Sequence, residues 1–167
     1  MSGETSFIPG PETTRAFRDA LGRFATGVTV ATTEGAHGPV GITANSFAAL
    51  SLDPPMVLWS PARSSRRFIH FVEAHGFAIH VLAQDQRALA QRFTRADPHF
   101  EDLGLTRSAE GIPLLPGTLA RFECETAAVH EGGDHVIITG HVRRASFREG
   151  DPLVFWAGSY GVFRPEK

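Results

Sequence analysis

Residues 28–52 read VTVATTEGAHGPVGITANSFAALSL, a run in which two strand-like segments flank a turn signal. Segments 28–33 and 40–43 are rich in valine, isoleucine and threonine, which favour strands because branched side chains pack well on a pleated surface. Between them, residues 35–39 (Gly-Ala-His-Gly-Pro) are typical of a tight turn. Two strands joined so closely predict an antiparallel hairpin, so the stretch favours a β-rich fold.

Strand patterns recur along the rest of the chain. They are predicted over residues 47–52, 57–60, 77–82, 118–130, 136–147 and 153–156. Helical spacing of apolar residues predicts three helices, over residues 13–24, 66–74 and 86–93. The candidate caps of these helices are Thr13 or Thr14, Ser64 or Ser65, and Asp85. The predicted fold class is therefore mainly β, a barrel with a few peripheral helices.

Residues 94–116 have mixed charge and no sustained period. We interpret them as a long excursion with at most one short turn of helix, and loops of that length in a compact domain are usually functional.

Length and composition restrict the class of protein. A chain of 167 residues is the size of one domain, and we expect a flexible N-terminal segment over 1–12 and a single domain over 13–167. The net charge of -2 and the interspersed charged residues predict neither a nucleic-acid partner nor a membrane partner. With no leader-like or membrane-spanning run, we expect a cytoplasmic protein. Cys124 is the only cysteine, which excludes an intrachain disulfide and favours a buried structural thiol.

The first candidate binding segment is Gly41–Phe47, where small and amide side chains interrupt two apolar strands. Such a segment leaves backbone N–H groups and the side chains of Thr43, Asn45 and Ser46 free to bond a planar polar ligand. From spacing alone, a polar strand connection without a ligand explains it equally well.

The second candidate is Ser60–Arg67, a loop with hydroxyl and guanidinium groups that runs into a predicted helix. Free N–H groups at a helix start and charge-assisted bonds from arginine favour a phosphate. A serine-capped helix with solvated arginines is the alternative.

Histidines supply the remaining candidates. His135 follows the predicted turn over 132–134 and could pair with a carboxamide, phosphate or carboxylate, although a histidine after a turn is more often structural. His70, His75 and His80 recur every five residues, a spacing that does not stack side chains on one helix face, so we predict no metal site. The chain contains no glycine-rich Rossmann or Walker loop and no His-Glu-x-x-His.

Five sequence words, in order over most of the chain, resemble the short-chain flavin reductase family. They are Arg23–Val30 (RFATGVTV), Gly41–Phe47 (GITANSF), Ser51–Pro55 (SLDPP), Gly133–His135 (GDH), and Pro152-Leu153 with Tyr160.

The resemblance implies an FMN-binding split β-barrel that forms a homodimer, with the flavin in a groove near the subunit interface. Four sets of residues follow from it. The flavin ring and ribityl chain would be lined by Thr43, Ala44, Asn45, Ser46 and Phe47. The phosphate would be held within 60–67, by Ser60, Pro61, Ser64, Ser65 and Arg66. Arg92 and Phe93 match a further flavin position, and His135 and Tyr160 match nicotinamide positions.

The implied reaction is hydride transfer from NADH or NADPH to FMN or FAD, with the reduced flavin passed to a partner monooxygenase. No general acid or base is required, because the protein acts by aligning the two cofactors. Two alternatives stay open, a non-catalytic FMN-binding or sensing protein and a flavoprotein that reduces ferric or corrinoid acceptors. His80 stands where many relatives carry asparagine, which leaves its effect on flavin contact or the dimer surface open.

Overall fold

The computed structural model describes residues 3–164. Its helices are short: α1 Thr14–Leu21, α2 Phe68–Val72 and α3 Arg87–Arg92, with 3₁₀ turns at Pro11–Thr13 and Gln84–Gln86. The strands are β1 Thr26–Gly27, β2 Thr29–Gly35, β3 Gly38–Ala44, β4 Ala48–Leu52, β5 Pro55–Trp59, β6 Gly76–Val81, β7 Thr106–Arg107, β8 Pro113–Leu114, β9 Ala120–Gly132, β10 His135–Phe147, β11 Leu153–Trp156 and β12 Ser159–Val162. The mainly β fold class is confirmed.

Seven strands form one antiparallel sheet in the order β3-β2-β6-β9-β10-β5-β4. Its two edge strands, β3 and β4, are consecutive in the chain and only three residues separate them. A flat sheet of this width would hold its edges about 29 Å apart, whereas the chain from Ala44 to Ala48 reaches about 14 Å at most. The sheet must therefore roll up until its edges meet, which makes a barrel split along one seam.

The barrel is filled by side chains whose β-branched and aromatic character explains the strands. Trp59 packs edge-on against Phe71 with ring centroids 4.8 Å apart and lies 6.1 Å from Phe77. Cys124 belongs to this core, as predicted, and burial first and Glu123 second raise the pKa of its thiol to about 12. The thiol therefore stays protonated and acts as a small apolar group.

A second cluster lies outside the barrel and carries the shorter elements. It joins Val30 and Leu82 to Ala90, Phe93 and Leu153. The three-stranded sheet β1-β11-β12 rests on this cluster through Phe155 and Tyr160. The excursion over 94–116 contains the β7-β8 pair instead of the expected turn of helix, and its Phe100, Leu103 and Leu105 cover the same cluster.

The helix starts differ from those predicted. None of the expected cap residues caps an α-helix with its side chain. These residues are Thr13, Thr14, Ser64, Ser65 and Asp85. The helix predicted over 66–74 contracts to α2, and the side chain of Arg67, just before it, points inward and donates hydrogen bonds to two backbone carbonyls. Ser65 instead forms a turn, with its carbonyl accepting a hydrogen bond from Phe68 N at 3.0 Å.

The predicted flexible segment over 1–12 and the domain over 13–167 stay predictions, and residues 1–2 and 165–167 lie outside the described part of the chain. Within residues 3–164, no helix is long and apolar enough to cross a bilayer.

His80 is fully buried at the middle of β6 and makes two hydrogen bonds. Its Nδ1 lies 3.1 Å from Val30 O, so Nδ1 must carry the proton, and its Nε2 accepts from Leu115 N at 3.0 Å. Desolvation lowers the pKa of His80 to about 4, although the hydrogen bond to Val30 O acts in the opposite direction and raises it. This histidine ties the barrel to the excursion, so it is neither a flavin contact nor a residue of the exposed surface.

We predict that the free energy of unfolding falls as the pH drops from about 6.5 to about 4. In this window the unfolded chain protonates His80 and the folded protein does not, so the unfolded state gains up to about 1.4 kcal/mol per pH unit. Urea titrations across this range should show a shallower decline for His80→Asn, which keeps a donor and an acceptor but cannot titrate. Equal pH dependence in the two proteins would contradict this assignment.

Candidate functional site

The candidate site lies along the seam of the split barrel, because the segment Gly41–Phe47 ends β3 and crosses to β4. Ser46 fastens this crossing to the end of β5. Its Oγ accepts a hydrogen bond from Ser60 N at 2.9 Å and donates to Ser60 O at 3.1 Å. The two segments singled out from the sequence, 41–47 and 60–67, thus meet at the seam.

The free edge of β3 is satisfied by side chains and a helix end. Arg67 Nη1 donates to Gly41 O at 2.8 Å and to Phe93 O at 3.0 Å, and Thr43 N donates to Phe93 O at 3.2 Å. Thr43 Oγ1 donates to Ala90 O at 2.6 Å. Edge groups that would otherwise pair with a strand are paired here with α3 and one guanidinium.

Arg67 is the cation of this edge. Its guanidinium has carbonyl partners but no carboxylate partner among residues 3–164, and its Nε is buried without any partner. Burial lowers the pKa of Arg67, yet the group stays charged because its ordinary pKa is far above neutrality. A partly buried positive charge without a counter-charge fits an anionic ligand.

The other predicted phosphate residues have different surroundings. Ser64 and Arg66 are exposed, Ser65 is half-buried, and Pro61 is buried with its carbonyl accepting from Val136 N at 3.2 Å. Because α2 has only five residues and starts at Phe68, its dipole adds little at Ser64. The arginine that the seam holds, rather than the expected helix start, supplies the positive charge.

The predicted flavin pair at the end of α3 is turned away from the seam surface. Phe93 is fully buried, packs 5.1 Å from Phe100, and would lie 2.5 Å from a Cβ at Gly41. Arg92 forms an ion pair with Asp102, with Nη2 2.9 Å from the carboxylate. The side chains of this pair therefore serve packing and the loop, and the backbone carbonyl of Phe93 is what reaches the seam.

A cleft of about 660 Å³ opens where β3 ends. We call it the seam cleft. Its walls are the end of α1, β1, the turn after β11 and Asn45; the lining residues are Arg18, Asp19, Leu21, Gly22, Arg23, Phe24, Thr26, Asn45, Phe155, Ala157 and Gly158. This volume lies in the range of small-molecule sites, and aromatic walls with a few polar groups are typical of them.

The turn that closes the seam cleft is strained. Ala157 has φ +48°, uncommon for a residue with a Cβ, and its N–H donates to Gly22 O at 2.9 Å. Trp156 Nε1 donates to Arg23 O at 3.2 Å, and the Arg23 guanidinium lies 5.9 Å from the Trp156 ring. These contacts hold the turn against the end of α1.

Several polar groups in the seam cleft and in the adjoining segment 45–47 lack protein partners within residues 3–164. The side chain of Asn45 makes no hydrogen bond, and none uses the backbone N–H groups of Asn45, Ser46 or Phe47. Thr26 Oγ1 is buried without a partner. Ala44 and Phe47, by contrast, pack on the core, with Phe47 stacked 5.6 Å from Phe122. Unpaired donors beside an aromatic wall fit a flat heteroaromatic ring such as a flavin.

The turn that carries His135 lies against the loop that follows β5. Arg63 N donates to Asp134 O at 2.9 Å, Arg63 Nε to Gly133 O at 3.2 Å, and the same guanidinium pairs with Glu131. His135 Nδ1 lies 2.7 Å from Asp134 Oδ1, and this bond lowers the pKa of Asp134. His135 is thereby oriented beside the loop 60–67, on a surface that we call the His135 rim, with its ring partly exposed.

Tyr160 is placed apart from His135 in the described protomer. It packs 5.4 Å from Phe155, with the Arg87 guanidinium 5.6 Å from its ring. No contact joins it to residues 133–135 in the described range.

The sequence reasoning missed Arg67 as the inward-facing cation and Thr26 as a cleft residue. Thr26 lay within a quoted family word, Arg23–Val30, but only the three-dimensional structure shows that its hydroxyl lacks a partner. Within residues 3–164, no group of three or more His, Cys, Asp or Glu side chains is arranged to hold a metal.

Comparisons with known proteins agree with this geometry. The family model described as flavin reductase like domain matches residues 21–164. The chain is 57% identical over 163 residues to the FMN reductase (NADH) SmoA of Agrobacterium fabrum, covering 98% of this chain and 94% of that protein. It is 43% identical over 155 residues to the flavin-dependent monooxygenase reductase subunit HsaB of Rhodococcus jostii, covering 92% and 80%.

Solved structures share the fold. Nitrilotriacetate monooxygenase component B from Mycobacterium thermoresistibile superposes with a TM-score of 0.88 at 39% identity, covering 93% of this chain and 89% of that chain. The NADH:FAD oxidoreductase SgcE6 of Streptomyces globisporus gives a TM-score of 0.89 at 32% identity, covering 98% and 100%. With the family model matching most of its length, the chain belongs to the flavin reductase family and has its split-barrel fold.

Proposed function

We propose that the protein is an NADH-dependent flavin reductase that binds FMN or FAD along the seam and supplies reduced flavin to a partner monooxygenase. The single observation that carries the proposal is the exposed Asn45 amide, which makes no hydrogen bond to the protein and lines an aromatic cleft at the end of β3, the strand whose Gly41 carbonyl binds the Arg67 guanidinium. The relatives named above are flavin reductases and a monooxygenase reductase subunit. This makes the chain an NAD(P)H:flavin oxidoreductase.

The flavin ring would lie in the seam cleft, against Phe24 and Phe155 and within reach of Asn45. When bound, the flavin supplies an acceptor for a hydride from the nicotinamide. The protein positions the ring through its unpaired donors and shields it with the turn at Ala157. Holding two flat rings in contact is what such a site must do, because alignment lowers the barrier without a protein acid or base.

The flavin phosphate would lie toward Arg67, whose guanidinium binds the carbonyl of Gly41 on β3. Gly41 is four residues before Asn45. That distance is about 14 Å in an extended strand, enough to accommodate a ribityl chain between the ring and the phosphate. Ser64, Ser65 and Arg66 border the same loop and would add hydroxyl and guanidinium donors.

The nicotinamide nucleotide would approach the rim that holds His135, which its bond to Asp134 orients. The charges on this rim favour NADH over NADPH. Arg63 is already neutralised by Glu131, and Asp134 adds a negative charge, so an additional 2′-phosphate would meet repulsion.

A homodimer completes the proposal. Leu50 and Leu52 on β4 are 47% and 94% exposed, and Val129 on β9 is 38% exposed, which favours covering of this face by a second copy. The partner monooxygenase and a cytoplasmic location stay predictions.

Purified protein should oxidise NADH only when flavin is supplied, and NADPH more slowly. The measurement is the loss of NADH absorbance with FMN, FAD or no flavin. Bound flavin without NADH loss would favour the non-catalytic flavin-binding protein. NADH loss that requires a ferric or corrinoid acceptor would favour the flavoprotein that reduces such acceptors.

Replacing Arg67 by Gln should raise the dissociation constant of FMN about tenfold and leave that of riboflavin within about twofold, because only FMN carries the phosphate. Quenching of flavin fluorescence measures both constants. Arg95→Gln, at an exposed arginine of the excursion, is the matched control. Equal weakening of FMN and riboflavin would show that Arg67 acts only by holding β3.

Replacing Glu131 by Gln frees the Arg63 guanidinium and should lower the KM for NADPH about fivefold, with little change in the KM for NADH. Steady-state kinetics with each nucleotide at saturating FMN gives the ratio of the KM for NADPH to the KM for NADH. Glu125→Gln, which removes another Glu–Arg pair about 20 Å back along β9, should leave the ratio unchanged. A constant ratio in Glu131→Gln would refute the electrostatic account of nucleotide choice.

A further inference from the structure

Two buried threonine hydroxyls lack partners within residues 3–164, and each lies at a different cavity. Thr26 lines the seam cleft, and Thr126 lines a second cavity of about 980 Å³. A buried hydroxyl without a hydrogen bond destabilises the folded protein, so each such group calls for an explanation.

The second cavity offers its hydroxyl no ligand-like surroundings. Both arginines that line it are paired with carboxylates: Arg143 with Glu125, and Arg144 with both Glu110 and Glu123, the latter at 2.8 Å. The cavity therefore offers an anionic ligand no arginine without a counter-charge.

The surroundings of Thr26 differ. It lies on β1 opposite Phe155 in the register of the three-stranded sheet, so the hydroxyl stands next to an aromatic wall. Asn45, with its unpaired amide, lines the same cleft. Two unpaired polar side chains and two aromatic rings thus face one space of about 660 Å³.

We propose that the Thr26 hydroxyl binds a polar atom of the flavin ring and positions the ring in the seam cleft. The Thr26 oxygen is shielded in the free protein, and a change to another staggered rotamer on binding would turn the hydroxyl toward the cleft. The bond satisfies on binding a group that is unsatisfied in the free protein. The inference rests on the proposed function, since it takes a flavin as the occupant.

Two measurements distinguish this role from that of a purely structural threonine: the thermal stability of the free protein and its affinity for flavin. In the free protein, Thr26→Val removes an unpartnered hydroxyl at nearly constant volume, so the thermal stability should be unchanged or higher. Flavin binding should weaken, because the ring loses a partner. A threonine that only supports the fold would lower the stability and the affinity together.

The test measures FMN and riboflavin dissociation constants by fluorescence quenching, together with the melting temperature of the flavin-free protein, in three variants. Thr26→Val should weaken both flavins five- to tenfold, since the hydroxyl contacts the ring and not the phosphate. Thr26→Ser, which keeps the hydroxyl, should bind within about twofold of the wild type. Thr126→Val is the matched control and should leave binding unchanged.

Binding by Thr26→Val within twofold of the wild type, or a loss matched in Thr126→Val, would overturn the assignment of Thr26. Wild-type protein that binds neither flavin would overturn the proposed function itself. The two failures are therefore distinguishable.

Discussion

The structure depends on a connection too short for a flat sheet. Three residues join β3 to β4, which form the two edges of a seven-stranded sheet. The sheet therefore rolls into a barrel, but its edges do not pair as strands in the described structure. The buried edge groups of β3 at this seam must find other partners, since an unpaired buried backbone group is costly. Ser46, Arg67 and the end of α3 supply these partners.

The same constraint explains why the site lies where it does. A closed barrel would use its edge groups in strand pairing and leave none for a ligand. The split leaves one edge lined by side chains, with a guanidinium that has no carboxylate partner near Gly41 and donors without protein partners near Asn45. The short elements outside the barrel, α1 and the strands β1, β11 and β12, wall the open end. Fold and site are thus consequences of one topological feature.

Local patterns predicted the strands well, because each depends on residues close in sequence. The hairpin turn between β9 and β10 is a clear case, with Gly133 at φ +74° between Gly132 and His135. A family word marked the 41–47 segment, and the hydroxyl and arginine side chains marked the 60–67 segment; the structure brings the two together. Their pairing across the seam could not be predicted from local patterns, since it follows from the order of strands in the sheet.

The errors have the same physical origin. Arg67 lies in the segment expected to hold a phosphate at a helix start, yet its side chain turns inward and donates to two distant carbonyls. Phe93, which the resemblance places at the flavin, packs in the core where Gly41 leaves room for its ring, and its contact with a flavin stays a prediction. The expected cap residues do not cap the helices, because α2 and α3 begin after turns, at Phe68 and Arg87, beyond the predicted cap positions. Tertiary partners of this kind have no signature in a window of neighbouring residues.

The central claim is that the seam of the barrel is the flavin site. A crystal structure of the protein with FMN tests it most directly. The account predicts the flavin ring in the seam cleft beside Asn45 and Thr26, with the phosphate toward Arg67. Flavin bound in the second cavity beside Thr126 and Glu123, with the seam cleft filled only by water, would contradict it.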